Sequence, residues 1–215
     1  MEKELKRYIL TEVKSKYKGF DKGHNISHFN FVTRNCLSYA KQLCEKGCDV
    51  DLDIAYIVGA YHDIGITKGR EGHAKSSGEI VRKDEMLKKY YSPEVIEIIA
   101  QAVEDHSSHL EYEPRSIYGK IVADADRNNT KYLVFSRPVK FRAADKNLSK
   151  EEYINSVYDF VKKKFGRSGY VKYWLDIEDT KKAQNEVWEL LDDEKSAKMY
   201  ISGIIDEVTN GRYYK

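Results

Sequence analysis

The stretch LDIAYIVGAYHDIGITKGREGH, residues 52–73, joins an apolar run to a histidine–aspartate pair and then to a loop with Lys68, Arg70 and a second histidine. Its first ten residues are apolar on nearly every side, the pattern of a helix at the centre of a helical protein. Asp49 or Asp51 can cap its start, and Gly65 halts it. Asp63 therefore stands at the C-terminal end of a buried helix. There it faces the negative pole of the helix dipole, at a cost of roughly a few tenths of a kcal/mol. A charge leaving an apolar segment unpaired is expensive, so a positive partner is needed: a bound cation, or a basic side chain such as Arg70.

Outward from this segment the chain reads as all-helical. It has three prolines, and apolar residues recur at spacings of three and four, with no clear run of period-two alternation. A first helix is predicted over 3–17, ended by Gly19, and a second runs from a cap at Asn25 or Ser27 to Gly47. A fourth covers 73–90. A fifth starts from Ser92 as cap with Pro93 at its first position, and Pro114 opens a sixth through IYGKIVADADR. The stretch NNTKYLVFSRPVKFRAADKN, 128–147, reads as a polar connection. Ser149 and Glu152 then form a capping-box pattern before EEYINSVYDFVKKKF, with lysines in the last turn and Gly166 after it. Two more helices fill 174–210.

The 215 residues suffice for one sizeable core with an appendage. Lysine plus arginine, 37, nearly balance aspartate plus glutamate, 35, so no global field favours a nucleic-acid polymer or an anionic membrane. An anionic ligand has to be caught by a local cluster. The charged start MEKELKRYILTEVKSKYKGF lacks the apolar core of a signal peptide, and no stretch has the length to span a bilayer, which predicts a cytoplasmic protein. Cys36, Cys44 and Cys48 fit neither a redox pair nor a zinc-finger spacing.

All six histidines, His24, His28, His62, His73, His106 and His109, fall between residues 24 and 109, which points to one site in the first half of the chain. Imidazole is the side chain best suited to divalent transition metals at neutral pH, and an adjacent carboxylate adds charge. His28 shares its helix with the apolar Phe31, Val32 and Cys36. His106 extends the stripe Ile99, Ala102, Val103, and His73 leads the row Ser77, Ile80, Val81, so each can face a core. Asp124 and Asp126 point about 200° apart on a straight helix, at 100° per residue. Periodicity alone does not choose between them.

In order and local setting, His28, His62-Asp63 and a later aspartate in VADADR resemble the HD-domain metal-dependent phosphohydrolase superfamily, small bacterial stand-alone members above all. HFNFVTRNCLSYA, AYIVGAYHDIG, GHAKSSGEIV, IAQAVEDHS and KIVADADR look like successive helices of such proteins. The resemblance spans about 20–130 and implies an all-α single domain over 1–215, with a metal-site core there and a helical extension over about 131–215. It also implies metal binding by His28, His62, Asp63 and Asp126, the last chosen for its place in Ala125-Asp126-Arg127. His73 and His106 stand where some relatives bind a second metal, with His109 a weaker candidate. After the motif, RNNTKYLVF departs from the apolar continuation of many relatives.

The activity so implied is hydrolysis of a phosphate ester or anhydride by metal-activated water. The metal is manganese, iron, cobalt, nickel or zinc, with magnesium as an alternative, and one ion or two. The expected substrate is a small phosphorylated molecule, with a nucleotide leading. Asp63 is expected to orient the attacking water. His73 or His106 would protonate the leaving oxygen when no second ion occupies them. Lys68, Arg70 and Arg127 are the candidate phosphate contacts, with Gly65, Gly69 and Gly72 letting the backbone approach; an exposed polar turn is the competing reading of the same loop. A regulatory module that binds metal and nucleotide without turnover is the alternative function.

Overall fold

The helical arm that opens the chain is built from α1 (Lys3–Tyr8), a π-helical turn (Ile9–Val13) and α2 (Lys14–Lys16), and closes in a 3-10 turn at Tyr17–Gly19. The computed structural model describes residues 1–21, 23–128, 130–142 and 148–209, and among them there is no strand, so the chain is all-α as its periodicity predicts. Next come α3 (Ile26–Glu45), α4 (Leu52–Tyr61), a 3-10 turn (Ile64–Lys68), α5 (His73–Lys83), α6 (Glu85–Tyr90), α7 (Pro93–Glu104) and α8 (Ile117–Arg127). Four more helices follow: α9 (Lys131–Arg142), α10 (Lys150–Phe165), α11 (Glu178–Asp192) and α12 (Glu194–Thr209).

The chain divides into two compact units, one of residues 1–127 with 173–177 and the other of 128–172 with 178–215. In the first, α4 is the buried centre its composition predicts, with Ala55, Ile57, Val58, Ala60 and Tyr61 fully buried. It packs on α3, α7 and α8, and α5 packs on α7. Asp51 caps α4 and Asn25 caps α3, each by accepting from backbone amides of the first turn.

Two predicted elements differ. The single helix expected over 73–90 is broken at Asp84, whose extended backbone lets Oδ1 cap α6 at the amides of Met86 and Leu87. Its Oδ2 meanwhile accepts from the hydroxyls of Tyr8 (3.1 Å) and Tyr61 (2.8 Å). An aspartate with such partners does better as a cap than inside a helix. Residues 131–142, expected as a polar connection, are helical with Pro138 inside. The apolar face of Val134, Phe135 and Val139 is buried among Val157, Val161, Ile201 and Ile205 of the second unit. Burial on that face outweighs the helix-breaking tendency of the proline. The capping box at Ser149 and Glu152 is formed as expected. The predicted polar turn residues 143–147 and the last residue of the predicted 174–210 helices lie outside the described residues.

Candidate metal centre

α4 stops one residue before the histidine–aspartate pair, and its frayed end is rebuilt by side chains. The buried Tyr17 hydroxyl donates to the Ala60 carbonyl (2.9 Å) and accepts from the Asp63 amide (3.3 Å). The Ser77 hydroxyl, fully buried, donates to the His62 carbonyl (2.7 Å) and accepts from the Gly65 amide (2.9 Å). Orphan carbonyls and amides at a helix end thus find partners from the opening arm and from α5. Gly65 has no room for a side chain, since a β-carbon would lie 2.1 Å from the His73 carbonyl oxygen. The absence of a side chain there permits the close approach to α5. Gly69 and Gly72 have φ of 123° and 65°, conformations that favour glycine, and they carry the chain from the 3-10 turn into α5.

This packing brings six of the residues singled out in the sequence together. His28 Nε2 lies 3.1 Å from His62 Nε2 and 3.1 Å from Asp126 Oδ1. Asp63 Oδ2 faces the same group, 3.3 Å from His28 Nε2 and 3.0 Å from His62 Nε2. The other oxygen, Oδ1, faces a second group, 3.2 Å from His73 Nε2 and 3.5 Å from His106 Nε2. His73 and His106 bring their Nε2 atoms to 3.2 Å of each other. Donor atoms of His28, His62 and Asp126, and of Asp63, His73 and His106, are thus mutually close enough to hold one ion per group.

The hydrogen-bond pattern asks for cations. His62, His73 and His106 each direct Nδ1 at a backbone carbonyl, of Gly59 (2.8 Å), Arg70 (2.9 Å) and Val103 (2.5 Å). With Nδ1 engaged there, the Nε2 atoms are left to point at one another and at the carboxylates. Lone pairs 3.2 Å apart repel unless a proton or a metal ion sits between them. Asp63 Oδ2 is moreover buried without a hydrogen-bond donor aligned on it, an orphan that a cation accommodates. Burial opposes ionisation of Asp63, yet the imidazoles of His62, His106 and His28 hold its carboxyl well below the usual range. Burial likewise opposes charge on His28, but Asp126 and Asp63 raise it to about 9. The ligand set has the mixed nitrogen and oxygen character of a divalent transition-metal site.

Asp124 and Asp126 are separated by the fold. Asp124 is fully buried and turned away from the cluster, accepting from the amides of Trp174 and Leu175 at 2.8–3.0 Å, so it anchors residues 173–177 to α8. The three candidate phosphate contacts each have partners within the protein. Lys68 pairs with Glu79 (3.2 Å) and Arg70 with Asp21 (2.7 Å) on the surface. Arg127 is 5% exposed and donates to the carbonyls of His106 (3.2 Å) and Ser107 (2.7 Å), so its guanidinium has partners inside the protein. His109 is exposed and belongs to neither group. His24, given no role from sequence, sits beside them with its ring 5.8 Å from His28 and 6.4 Å from His73, held by Asp21 (2.8 Å). Ser77 and Asp105 also escaped the sequence reading; a serine on the apolar row of α5 was the available signal for the first.

Among the described residues, no helix is long and apolar enough to cross a membrane. No curated protein and no solved structure matches the chain significantly. Residues 32–129 match the family model described as HD domain, a span that runs from the first turns of α3 past Asp126 and contains five of the six clustered residues, His28 lying just before it. With the ordered histidines and aspartates now seen to converge within that span, the match to the HD domain supports membership of the HD-domain metal-dependent phosphohydrolase superfamily for this part of the chain.

Proposed function

We propose that the protein hydrolyses a small phosphate ester or anhydride, with a nucleotide as substrate class. His28, His62, Asp63 and Asp126 would hold one divalent transition metal, and Asp63, His73 and His106 a second. The observation that carries this reading is the Asp63 carboxylate, which turns one oxygen to each group of imidazoles. Divalent ions at such a pair of sites activate water and polarise a phosphoryl oxygen.

The protein's own part is legible in burial and charge. His62, Asp63, His28 and His106 side chains are at most 5% exposed, whereas Asp126 is 26% and His73 25% exposed. Substrate therefore reaches the centre along the edge formed by Asp126 and His73, with His24 beside it. The two carboxylates supply two negative charges against the four of two divalent ions. The centre so loaded keeps a positive excess that suits a phosphate dianion. Capture of the phosphate would rest on this local excess, since Lys68 and Arg70 are already paired with carboxylates.

Elemental analysis of the purified protein tests the site, with two transition-metal ions per chain expected and loss of both in the His62→Ala, Asp63→Ala double variant. Unchanged metal content in that variant would falsify the assignment. A panel of nucleoside mono- and triphosphates, dinucleoside polyphosphates, cyclic nucleotides and alarmones, each with manganese, cobalt, nickel, iron or magnesium, then tests turnover. Tight nucleotide binding with no product overturns the enzyme reading in favour of a regulatory module.

A further inference from the structure

Resting on the two-ion reading, we propose that Arg127 is a positioning residue that couples the two halves of the centre. It ties the turn bearing His106 to the helix bearing Asp126, and thereby sets the affinity for the second ion. Arg127 follows Asp126 directly at the end of α8. Its guanidinium reaches across to the residues after α7, donating to the carbonyls of His106 (3.2 Å) and Ser107 (2.7 Å).

The same turn is gripped on its other side. Asp105, fully buried, accepts from the backbone amide of Arg115 (2.7 Å) and from its guanidinium at 2.8–3.1 Å. Arg115 also donates to the Gln101 carbonyl and to Glu104, so this second clamp secures the turn to its own helix, α7. Arg127 instead secures it to α8, which contributes Asp126 to the first group. His106 Nε2 stands 3.2 Å from His73 Nε2 and 3.5 Å from Asp63 Oδ1. A shift of a few tenths of an ångström there changes the second group and leaves the first intact.

The choice of arginine is itself informative. Burying a guanidinium costs several kcal/mol unless it is compensated, and an apolar side chain would fill the space without that cost. The carboxylates of Asp124 and Asp126 supply the compensating charge. Both bonds come from one nitrogen, Nη2, whose two hydrogens are fixed in the guanidinium plane, whereas a lysine presents a freely rotating point charge. Hydrogen-bond partners behind metal ligands typically govern affinity by 10–100-fold.

Manganese titration with electron paramagnetic resonance tests the proposal on the full chain. Wild type should bind two ions and show an exchange-coupled pair. Arg127→Ala should keep the first ion, bind the second at least about tenfold more weakly, and show an isolated-ion spectrum like that of His106→Ala. Guanidinium ion at sub-denaturing concentration should restore the coupled signal in Arg127→Ala but not in His106→Ala, a response that a merely structural role would not give. Arg127→Lys is read in its place if the alanine variant does not fold, and its second site should also be weakened. Two ions bound with unchanged affinity in the folded variant overturn the proposal, as does loss of both ions together. Fewer than two ions in wild type would instead sink the two-ion reading on which it rests.

Discussion

Replacing Ser77 by alanine removes one oxygen from the interior and leaves two backbone groups without partners. The His62 carbonyl, 2.7 Å from that oxygen, lies just past the end of α4, and the Gly65 amide, 2.9 Å away, lies under α5. Ser77 is fully buried, so water does not replace it at either position without rearrangement. A buried donor or acceptor left unsatisfied costs about 1–3 kcal/mol, which gives roughly 2–4 kcal/mol for the pair after partial relaxation. Unfolding entropy is about 2.1 cal/mol/K per residue, so in a unit of roughly 130 residues 1 kcal/mol corresponds to about 4 °C. The expected fall in Tm is therefore about 8–15 °C. Thermal melts by circular dichroism, taken in chelator so that bound metal does not mask the loss, read it directly. Ser77→Cys, with similar volume and a weak donor, should fall between the two. A drop of less than about 3 °C in Ser77→Ala would show that the hydroxyl is not what holds the histidine–aspartate turn against α5.

Gly65→Ala should be worse still, because its β-carbon would meet backbone atoms of His73 and Ser77 at 2.1 and 2.6 Å; loss of soluble folded protein or of metal binding is expected, and a variant with wild-type Tm and metal content contradicts the packing described. Asp126→Asn should lose the ion bound with His28 and His62, whereas Asp124→Asn should keep full metal content and lose about 2 kcal/mol of stability from weakened bonds to the Trp174 and Leu175 amides. Elemental analysis paired with thermal melts separates the two, and the opposite pattern reverses the assignment. Chelation should lower the Tm of the wild type, by about 2.7 kcal/mol or roughly 10 °C for an ion held at a hundred times its Kd, and manganese should restore it; an unchanged melt would mean the cluster holds no ion that matters for folding.

Periodicity and capping made much of this arrangement legible before any coordinates. α4 was readable because an apolar run with an aspartate before it and a histidine–aspartate pair after it has few other solutions. The clustering of six histidines in the first half of the chain announced that their helices meet. What stayed hidden depends on long-range hydrogen bonds. Asp124 and Asp126 sit on one helix in similar local text, and nothing within that text says that residues 173–177 return to claim Asp124 with backbone amides. Arg127 is named from sequence only as a candidate phosphate contact, and its partners inside the protein are not readable there. The competing demand, two carbonyls left open at the end of α7, arises only when α7 and α8 lie side by side. α9 was missed for the same reason, since Pro138 and the charges of KYLVFSRPVKFR outweigh its apolar face until that face has something to bury against.

The two kinds of residue in the centre are thus set by different physics. The proposed ligands are written into sequence as residue type and order, because imidazole and carboxylate chemistry allows few substitutes. Their spacing is written elsewhere, in Tyr17, Ser77, Gly65, Asp105 and Arg127, which satisfy helix ends and turns that the ligands' own helices leave open. A carboxylate between two groups of imidazoles tolerates little drift, since Asp63 Oδ2 is 3.0 and 3.3 Å from His62 and His28 while Oδ1 is 3.2 and 3.5 Å from His73 and His106. Control over these distances is distributed over three contacts: Tyr17 on the Asp63 amide, Ser77 between the turn and α5, and Arg127 between α8 and the His106 turn. Substitutions at these positions should therefore change how many ions bind, and how they couple, before they change which residues bind them.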